Sequence, residues 1–495
     1  MAKKNPYDVI VVGAGIGGLT AAACLCHRGM DVLLCEGSNE MGGCASKFDR
    51  RGFRFAAGAT VGMGFEAGGV LYELYQKLAL TLPAWEEPQA IMDVHLPDGA
   101  FSYWQSKEKW YEEIGRQFPQ ERQQVIAFYE EVGQVAQILR GVIQRQPLFP
   151  PTSVVAIKEL LALVSRETLQ LVPYFTCTVA DRLKRFELDK AQRFLCFLNG
   201  QLIDSVQTTA EQCPAFLGYT AMETFHQGSY LIRGGVATVA ADLAGAMLRD
   251  GGEIRKQCLI QRIERKGELW QATAATGETF IGKRLVLNTS LHSLHGLLAD
   301  ELKPMVNVDE QKEKNRPAWG AYVLYAGCKD NFLPDKGSSL VHQFIGSYDQ
   351  PPVEGNQFLL SLSSPEDRLC APIGKRAATM STHTEVSQWW ERSNYDQKKN
   401  SYRQQMVETV TRSFPRFAEA VELIWPATPV TFQRFTHRHQ GKVGGYIPSG
   451  AWSWLHSYSI RSGVADLWFC GDTVFPGAGI MGTALSGMTV ARQII

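Results

Sequence analysis

The sequence predicts an α/β protein: a Rossmann-like dinucleotide-binding domain joined to a mixed-sheet substrate domain under a helical cap. Three observations predict it. A β-branched run near the N-terminus leads into closely spaced glycines and a helix. A second strand–glycine–helix unit closes the chain. Between them lie one territory of helical stripes and another of short strand-like runs.

Residues 9–12 are Val-Ile-Val-Val, with no polar alternation, and read as a strand buried on both faces. Gly13, Gly15 and Gly18 follow at the spacing G-x-G-x-x-G, with Ile16 and Gly17 between the last two. The first glycine serves a tight turn, the second the approach of backbone to a pyrophosphate, the third the packing of the next helix on the strand. Residues 19–28 read as that helix, whose N-terminus offers free N–H groups and a positive dipole end to phosphate. Gly29 ends it, residues 31–35 form a second strand, and Glu36 closes that strand where an acid accepts hydrogen bonds from a ribose. An acid there repels a 2′-phosphate, so FAD or NAD is expected and NADP is disfavoured.

Gly42 and Gly43 come next, a pair that lets a loop lie against a dinucleotide; residues 51–59 read as a short strand running into Gly58 and Ala59. The segment 107–188 differs in character. Val125, Phe128, Tyr129, Val132, Ala136 and Leu139 recur at helical spacing, and so do Ile157, Leu160, Leu161, Val164, Thr168 and Leu171. Both stripes are expected to face a core as parts of a cap; a face that meets a membrane carries the same pattern. Nucleotide-domain character returns at 230–235, followed by a helix over 236–248, a strand over 254–263, a small meander and a buried strand over 284–289. Runs at 318–328, 339–345 and 357–363 suit a mixed sheet, and 398–414 an amphipathic helix stopped by Pro415. The dinucleotide-binding domain is therefore expected in three pieces, 1–70, 228–300 and 462–495, with the substrate domain at 71–227 and 301–461.

The last piece carries the second constellation. Residues 466–472 read as a strand ending in Gly471-Asp472, glycines follow at 477, 479, 482 and 487, and 483–494 read as a helix. Asp472 is placed to accept from ribityl or ribose hydroxyls. Backbone N–H groups at Gly479, Ile480 and Met481 can face a flavin pyrimidine ring, where the helix dipole favours the negative charge of reduced flavin.

Composition bounds the alternatives. The chain has 495 residues, 45% of them hydrophobic, and 50 basic against 50 acidic side chains, so a nucleic-acid partner is not expected. Eleven cysteines form no C-x-x-C pair and no zinc spacing, so no metal is expected and the thiols read as reduced. Lys3 and Lys4 before an apolar run imitate a secretory signal, and 9–26 is nearly long enough to span a bilayer. The glycines inside that run, Asp8 at its edge and the strand continuing to Glu36 fit a nucleotide-binding unit better. A cytoplasmic protein, soluble or peripheral at the inner face of a membrane, is expected.

At this point the chain resembles a family. The segments 8–36, Gly42-Gly43, 230–235, 286–289 and 471–477 look like the FAD-dependent carotenoid desaturases and isomerases, the phytoene-desaturase-like proteins. Residues 58–60 and 427–436 are similar to the carotenoid 3′,4′-desaturase and prolycopene-isomerase branch. The family's second motif usually reads Phe-Asp-x-Gly; here it is Phe55-Ala56-Ala57-Gly58. The resemblance implies FAD in a glutathione-reductase-type domain, a long apolar tunnel for a carotenoid or other isoprenoid, and desaturation by hydride transfer to flavin, with oxygen or a membrane quinone as electron acceptor. Redox-neutral cis–trans isomerisation by reduced FAD is the alternative. An amine oxidase-like flavoenzyme, with Trp452 and Trp454 as cage residues, and a non-enzymatic prenyl-lipid escort protein are further ones; the intact Gly13, Gly15, Gly18, Glu36 and Asp472 speak against the last. Trp319, Tyr322, Tyr325 and Phe344 are candidates for the tunnel wall or for plain packing. Glu223 and His226 are the candidate catalytic groups at its inner end.

Overall fold

A computed structural model describes residues 6–88, 90–334 and 339–495. Lys3 and Lys4 lie outside the described residues. Two seven-stranded sheets organise the chain. The first runs in the order Ile260–Lys266, Leu269–Ala274, Thr279–Leu287, Tyr7–Val12, Val32–Cys35, Glu253–Arg255, with Leu467–Phe469 also pairing to Thr279–Leu287. The N-terminal strand lies parallel to both its neighbours, and Val9, Ile10 and Val11 are wholly buried, as a strand covered on both faces must be. The short C-terminal strand lies parallel to Thr279–Leu287 at its Leu285–Leu287 end.

The first helix is Ile16–Cys26, and all eleven of its residues are buried. It starts three residues before the expected 19–28 helix, inside the glycine run. Its small residues let the last helix, Ile480–Ile494, come close: a Cβ on Gly487 would stand 2.3 Å from the carbonyl oxygen of Gly17. The two ends of the chain are thereby pressed together. The expected 254–263 strand is two strands, Glu253–Arg255 and Ile260–Lys266, in different parts of the sheet.

The second sheet runs Val421–Ala427, Trp319–Lys329, Lys375–Glu385, Gln357–Leu362, Val341–Ile345, Ala90–Leu96, Gly99–Trp104. It is mixed: Val341–Ile345 is parallel to Ala90–Leu96 and the other pairs are antiparallel. Tyr322, Leu324, Phe344 and Phe358 on one face pack with Tyr402, Met406 and Val410 of the helix Tyr395–Ser413. The cap is built from Lys107–Gln117, Arg122–Gln144, Gln192–Val206 and Ala215–Gln227, around an aromatic core that includes Trp110, Tyr129, Phe194 and Phe197.

The two helical stripes behave differently. The first, on Arg122–Gln144, is buried at Val125, Phe128, Tyr129, Val132, Ala136 and Leu139. The second is not the core stripe expected of it. Only Leu171 is fully buried; Ile157, Leu161 and Val164 are exposed and Leu160 is half-buried. The short helix Val154–Leu161 keeps one buried residue, Ala156, so its small side turns inward and its large apolar side outward.

Candidate functional site

The site is built where the two ends of the chain meet. Gly13 ends the first strand with φ +99°, a conformation that L side chains rarely adopt. A Cβ on Gly18 would stand 2.2 Å from the carbonyl oxygen of Gly13, so the first helix packs against its own turn only without one. Gly15 caps that helix, and no side chain bonds to its N-terminus. The first-turn N–H groups are thus left for a ligand.

A Cβ on Gly15 would stand 2.7 Å from Nδ2 of Asn288, so the protein's own packing also excludes a side chain there. Asn288 is the keystone of the turn. Its Nδ2 donates to the Gly13 carbonyl at 3.2 Å, its Oδ1 would stand 2.8 Å from a Cβ on Gly17 and 2.9 Å from one on Gly471. One side chain therefore buttresses the N-terminal and C-terminal turns together.

Glu36 closes the second strand. Its Oε2 accepts from the Ala14 N–H and its Oε1 from the Ser38 N–H, both at 2.7 Å. Burial lifts its pKa above the usual carboxylate range, against the pull of those two hydrogen bonds. Each oxygen keeps a lone pair for a ribose hydroxyl. The Gly42-Gly43 turn crosses in front: the Gly42 N–H donates to the Ala14 carbonyl at 2.7 Å, and a Cβ on Gly43 would meet Cα of Gly15 at 3.4 Å. Gly58 and Ala59 bind this loop from behind, since the Ala59 N–H donates to the Cys44 carbonyl at 3.1 Å and a Cβ on Gly58 would stand 2.9 Å from that oxygen. Where the family usually has an acid, Ala56 ends the strand Phe53–Ala56, and the neighbouring Ala57 carbonyl accepts from the Tyr325 hydroxyl at 2.6 Å.

Asp472 is not free for hydroxyls alone. Arg438 grips it with two N–H donors, at 2.8 and 3.2 Å. Burial works against the Arg438 charge, yet the Asp472 carboxylate outweighs it and the net shift is upward. Arg438 belongs to a cleft of about 610 Å³ with His292, Glu313, Arg434, His437 and His439. His437 reaches toward the end of the second strand, its Cδ2 3.4 Å from the place of a Cβ on Gly37. This cleft is mainly basic, and it adjoins the C-terminal turn through the Arg438–Asp472 pair. Nothing in the sequence pattern separates Arg438 and Asn288 from other polar residues; only their spatial neighbours reveal them.

Beyond Asp472 the chain passes Gly477 and Gly479, around which a Cβ would meet open space, and enters the last helix, whose N-terminus has no side-chain cap. Ile480 turns into the core, while Met481 turns into a second cavity, of about 410 Å³. Val70, Ala136, Ile143, Met481, Leu485 and Met488 form its apolar wall, and the ion pair of Glu66 and Arg140 at 3.2 Å, with Glu73, Lys77, Gln144, Gln146, Thr220, Thr224 and Gln227, forms its polar wall. Residues 471–481 therefore run from Asp472, gripped by Arg438 of the basic cleft, to Met481 in the wall of the second cavity.

The two candidate catalytic groups do not reach either space. The Lys107 ammonium donates to Oε1 of Glu223 at 2.7 Å. Nδ1–H of His226 donates to the Gln105 carbonyl and Nε2 accepts from the Tyr103 hydroxyl, each at 3.1 Å. Burial holds the His226 pKa down at about 4. Its lone pair is occupied and it resists protonation, so His226 is a cap-packing residue; Thr220, Thr224 and Gln227 are the residues of its helix that line the cavity. Tyr322 and Phe344 are buried in the core under Tyr395–Ser413, Tyr325 packs on Phe48 and Phe55, and the Trp319 indole donates to the Gln207 carbonyl at 2.9 Å. Trp454 packs beside Phe149 and Phe175 and stacks with the exposed Trp452, and neither tryptophan lines the cavity at Met481. Among the described residues, no group of His, Cys, Asp or Glu could hold a metal ion.

A glycine turn before an uncapped helix N-terminus, an acid closing the second strand and a C-terminal Gly-Asp turn packed against both form the arrangement of a flavin-dependent oxidoreductase. The chain belongs to the flavin containing amine oxidoreductase family, whose pattern matches residues 16–495. It is 25% identical to a chloroplastic prolycopene isomerase of Daucus carota, over 100% of this chain and 81% of that protein. It is 21% identical to the all-trans-retinol 13,14-reductase of Homo sapiens, over 99% and 85%. A 4,4′-diapolycopen-4-al dehydrogenase of Metabacillus indicus is 22% identical over 68% and 64%. An oxidoreductase from Methanosarcina mazei shares the fold, with TM-score 0.66 and 14% identity over 98% and 99% of the chains. The cofactor of this enzyme is FAD.

Proposed function

We propose that the protein desaturates a carotenoid or another long isoprenoid at the inner face of a membrane. The observation that carries this reading is the cavity at Met481, on the first turn of the helix that follows the Asp472 turn. A polyene has no charge to recognise, and the wall of the cavity formed by Val70, Ala136, Ile143, Met481, Leu485 and Met488 suits it. Three relatives named for polyene substrates support the same substrate class.

When bound, FAD supplies a two-electron acceptor for hydride. The chain's own part is placement. Glu36 holds the ribose, the Ile16–Cys26 N-terminus and Arg438 hold the phosphates, and Asp472, clamped by Arg438, takes ribityl hydroxyls. The N-terminus of the last helix, from Gly479 to Met481, sets its positive dipole end against the redox ring. Met481, Leu485 and Met488 align the substrate carbon, where misplacement by an ångström costs about a hundredfold in rate. The overall change would be loss of a hydride from one carbon and of a proton, taken up by water, from its neighbour, with oxygen or a membrane quinone as the final acceptor of the electron pair.

The prolycopene isomerases among the relatives favour one second reading, cis–trans isomerisation with reduced FAD and no net redox change. Pigment chromatography with mass spectrometry, after expression in a host supplied with candidate carotenes, separates the two. Desaturation gives products lighter by two hydrogens per new double bond. Products of unchanged mass and altered geometry would replace it with isomerisation.

A further inference from the structure

Among the described residues, sixteen large apolar side chains are exposed, and seven of them lie within residues 154–172. Leu161 is 65% exposed, Val154 68% and Val164 56%. Val154, Ile157 and Leu161 share one face of the short helix Val154–Leu161, and Val164, Leu169 and Val172 continue the surface past its end. Trp452 and Leu455, both exposed, add to it from a neighbouring loop, because the Trp454 indole donates to the Phe175 carbonyl at 3.0 Å and its ring packs on Phe149. An apolar surface gathered in this way marks something that covers it.

We infer that residues 154–172, with Trp452 and Leu455, form a docking surface that sits in the headgroup region of an anionic lipid bilayer. Four observations select lipid. Val154–Leu161 turns its large apolar side chains outward and buries only Ala156, as a helix lying in an interface does. The charges around it are mainly basic: Arg145, Lys158 and Arg166 are exposed, while of the two acids in the segment Glu159 is held by Arg492 at 3.0 Å, leaving Glu167. An exposed tryptophan at the edge of an apolar patch is the side chain that favours the boundary between headgroups and acyl chains.

The fourth observation is mechanical. Oε2 of Glu159 accepts from the Leu148 N–H at 2.8 Å and from Arg492, and Arg492 also donates to the Gln146 carbonyl at 2.8 Å. The docking helix is thereby lashed to the last helix, whose Met481, Leu485 and Met488 wall the second cavity. Ile143, Gln144 and Gln146, just before the docking segment, line the same cavity. A bilayer covering 154–172 would lie beside residues 143–146 of the cavity wall, which would set a lipid-dissolved substrate next to the cavity that holds Met481. This purpose rests on the lipid-dissolved substrate proposed above; the surface itself is tested without any substrate.

The test is sedimentation of the purified holoprotein with vesicles of phosphatidylcholine and phosphatidylglycerol in equal parts, and with vesicles of phosphatidylcholine alone. The wild type is expected to sediment with the anionic vesicles. Leu161→Glu with Val164→Glu should weaken binding at least about tenfold on both kinds. Lys158→Glu with Arg166→Glu should weaken it by about fivefold per residue on anionic vesicles only, an effect that salt mimics. Circular dichroism and turnover of detergent-dispersed substrate should be unchanged in all variants, which excludes misfolding. A wild type that stays in the supernatant, or Leu161→Glu/Val164→Glu protein that sediments like it, overturns the surface. So does a wild-type dimer that this variant dissociates with no change in vesicle binding. Vesicle binding with no turnover of any polyene would instead refute the substrate reading and leave the surface standing.

Discussion

Gly15→Ala tests the keystone role of Asn288. The alanine Cβ would stand 2.7 Å from Nδ2 of Asn288, and the other atoms within 4 Å belong to the same carboxamide, at 3.7 and 3.9 Å. The backbone of Gly15, at φ −67° and ψ 168°, already suits alanine, so no conformational strain adds to the clash. To reach ordinary contact the carboxamide must retreat by roughly 0.8 Å. That costs about 1–3 kcal/mol of overpacking, and it breaks the hydrogen bond to the Gly13 carbonyl, about 1 kcal/mol more. Gly15→Ala should therefore lose about 2–4 kcal/mol in urea denaturation of the FAD-loaded protein and retain less flavin per chain. Asn288→Ala alone loses the hydrogen bond and should cost about 1–2 kcal/mol. The double variant should cost little more than Asn288→Ala, a coupling of about 1–3 kcal/mol. Gly18→Ala provides the contrast: its clash is with the Gly13 backbone oxygen, and Asn288→Ala should not rescue it. Strictly additive costs for Gly15→Ala and Asn288→Ala would refute the reasoning.

The other predictions concern cofactor, chemistry and pH. Glu36→Ala should raise the Kd for FAD by about 10- to 150-fold, from the loss of charge-assisted hydrogen bonds worth about 1.5–3 kcal/mol, measured by flavin fluorescence titration. His226→Gln should lower thermal stability while leaving kcat per folded, FAD-loaded molecule unchanged, because its partners are Tyr103 and Gln105 and not the substrate. Asp204, whose carboxylate accepts from the Gln357 side chain at 2.6 Å, is pushed by burial up to about pH 7. The folded state holds that proton more tightly than the unfolded chain, so this carboxyl stabilises most below about pH 4 and its contribution falls as pH rises to about 7. Asp204→Asn should flatten the decline over that window and gain on the order of 2–4 kcal/mol at pH 8 in denaturant titrations.

The parts legible in sequence are those where backbone geometry dictates residue type. The strand 9–12, the glycines and Glu36 constrain one another locally, and Gly471-Asp472 repeats the logic at the other end. The strand Lys375–Glu385 is rich in Ala and Thr and lacks a long branched run, so its pairing is decided by its neighbours Trp319–Lys329 and Gln357–Leu362. Val421–Ala427 carries Pro426, which an edge strand tolerates and a sequence pattern counts against. Asn288 and Arg438 are ordinary polar residues until the fold sets them against the glycine turn and Asp472. The stripe at 157–164 shows the converse: periodicity reports that one face is apolar and says nothing about what covers it. Glu223 and His226 sit in sequence close to the Tyr230 segment, yet each step along a helix turns by about 100°, so Thr224 and Gln227 line the cavity while Glu223 and His226 bond to Lys107 and Tyr103.

The central claim is that flavin held between the two chain ends takes hydride from a polyene in the cavity beside Met481. It is tested most directly by mixing the oxidised holoprotein with candidate carotenes without oxygen and following the flavin spectrum. The account predicts bleaching of the flavin in step with a product two hydrogens lighter than its substrate. Flavin that stays oxidised with every carotene, and pigment of unchanged mass, would contradict it.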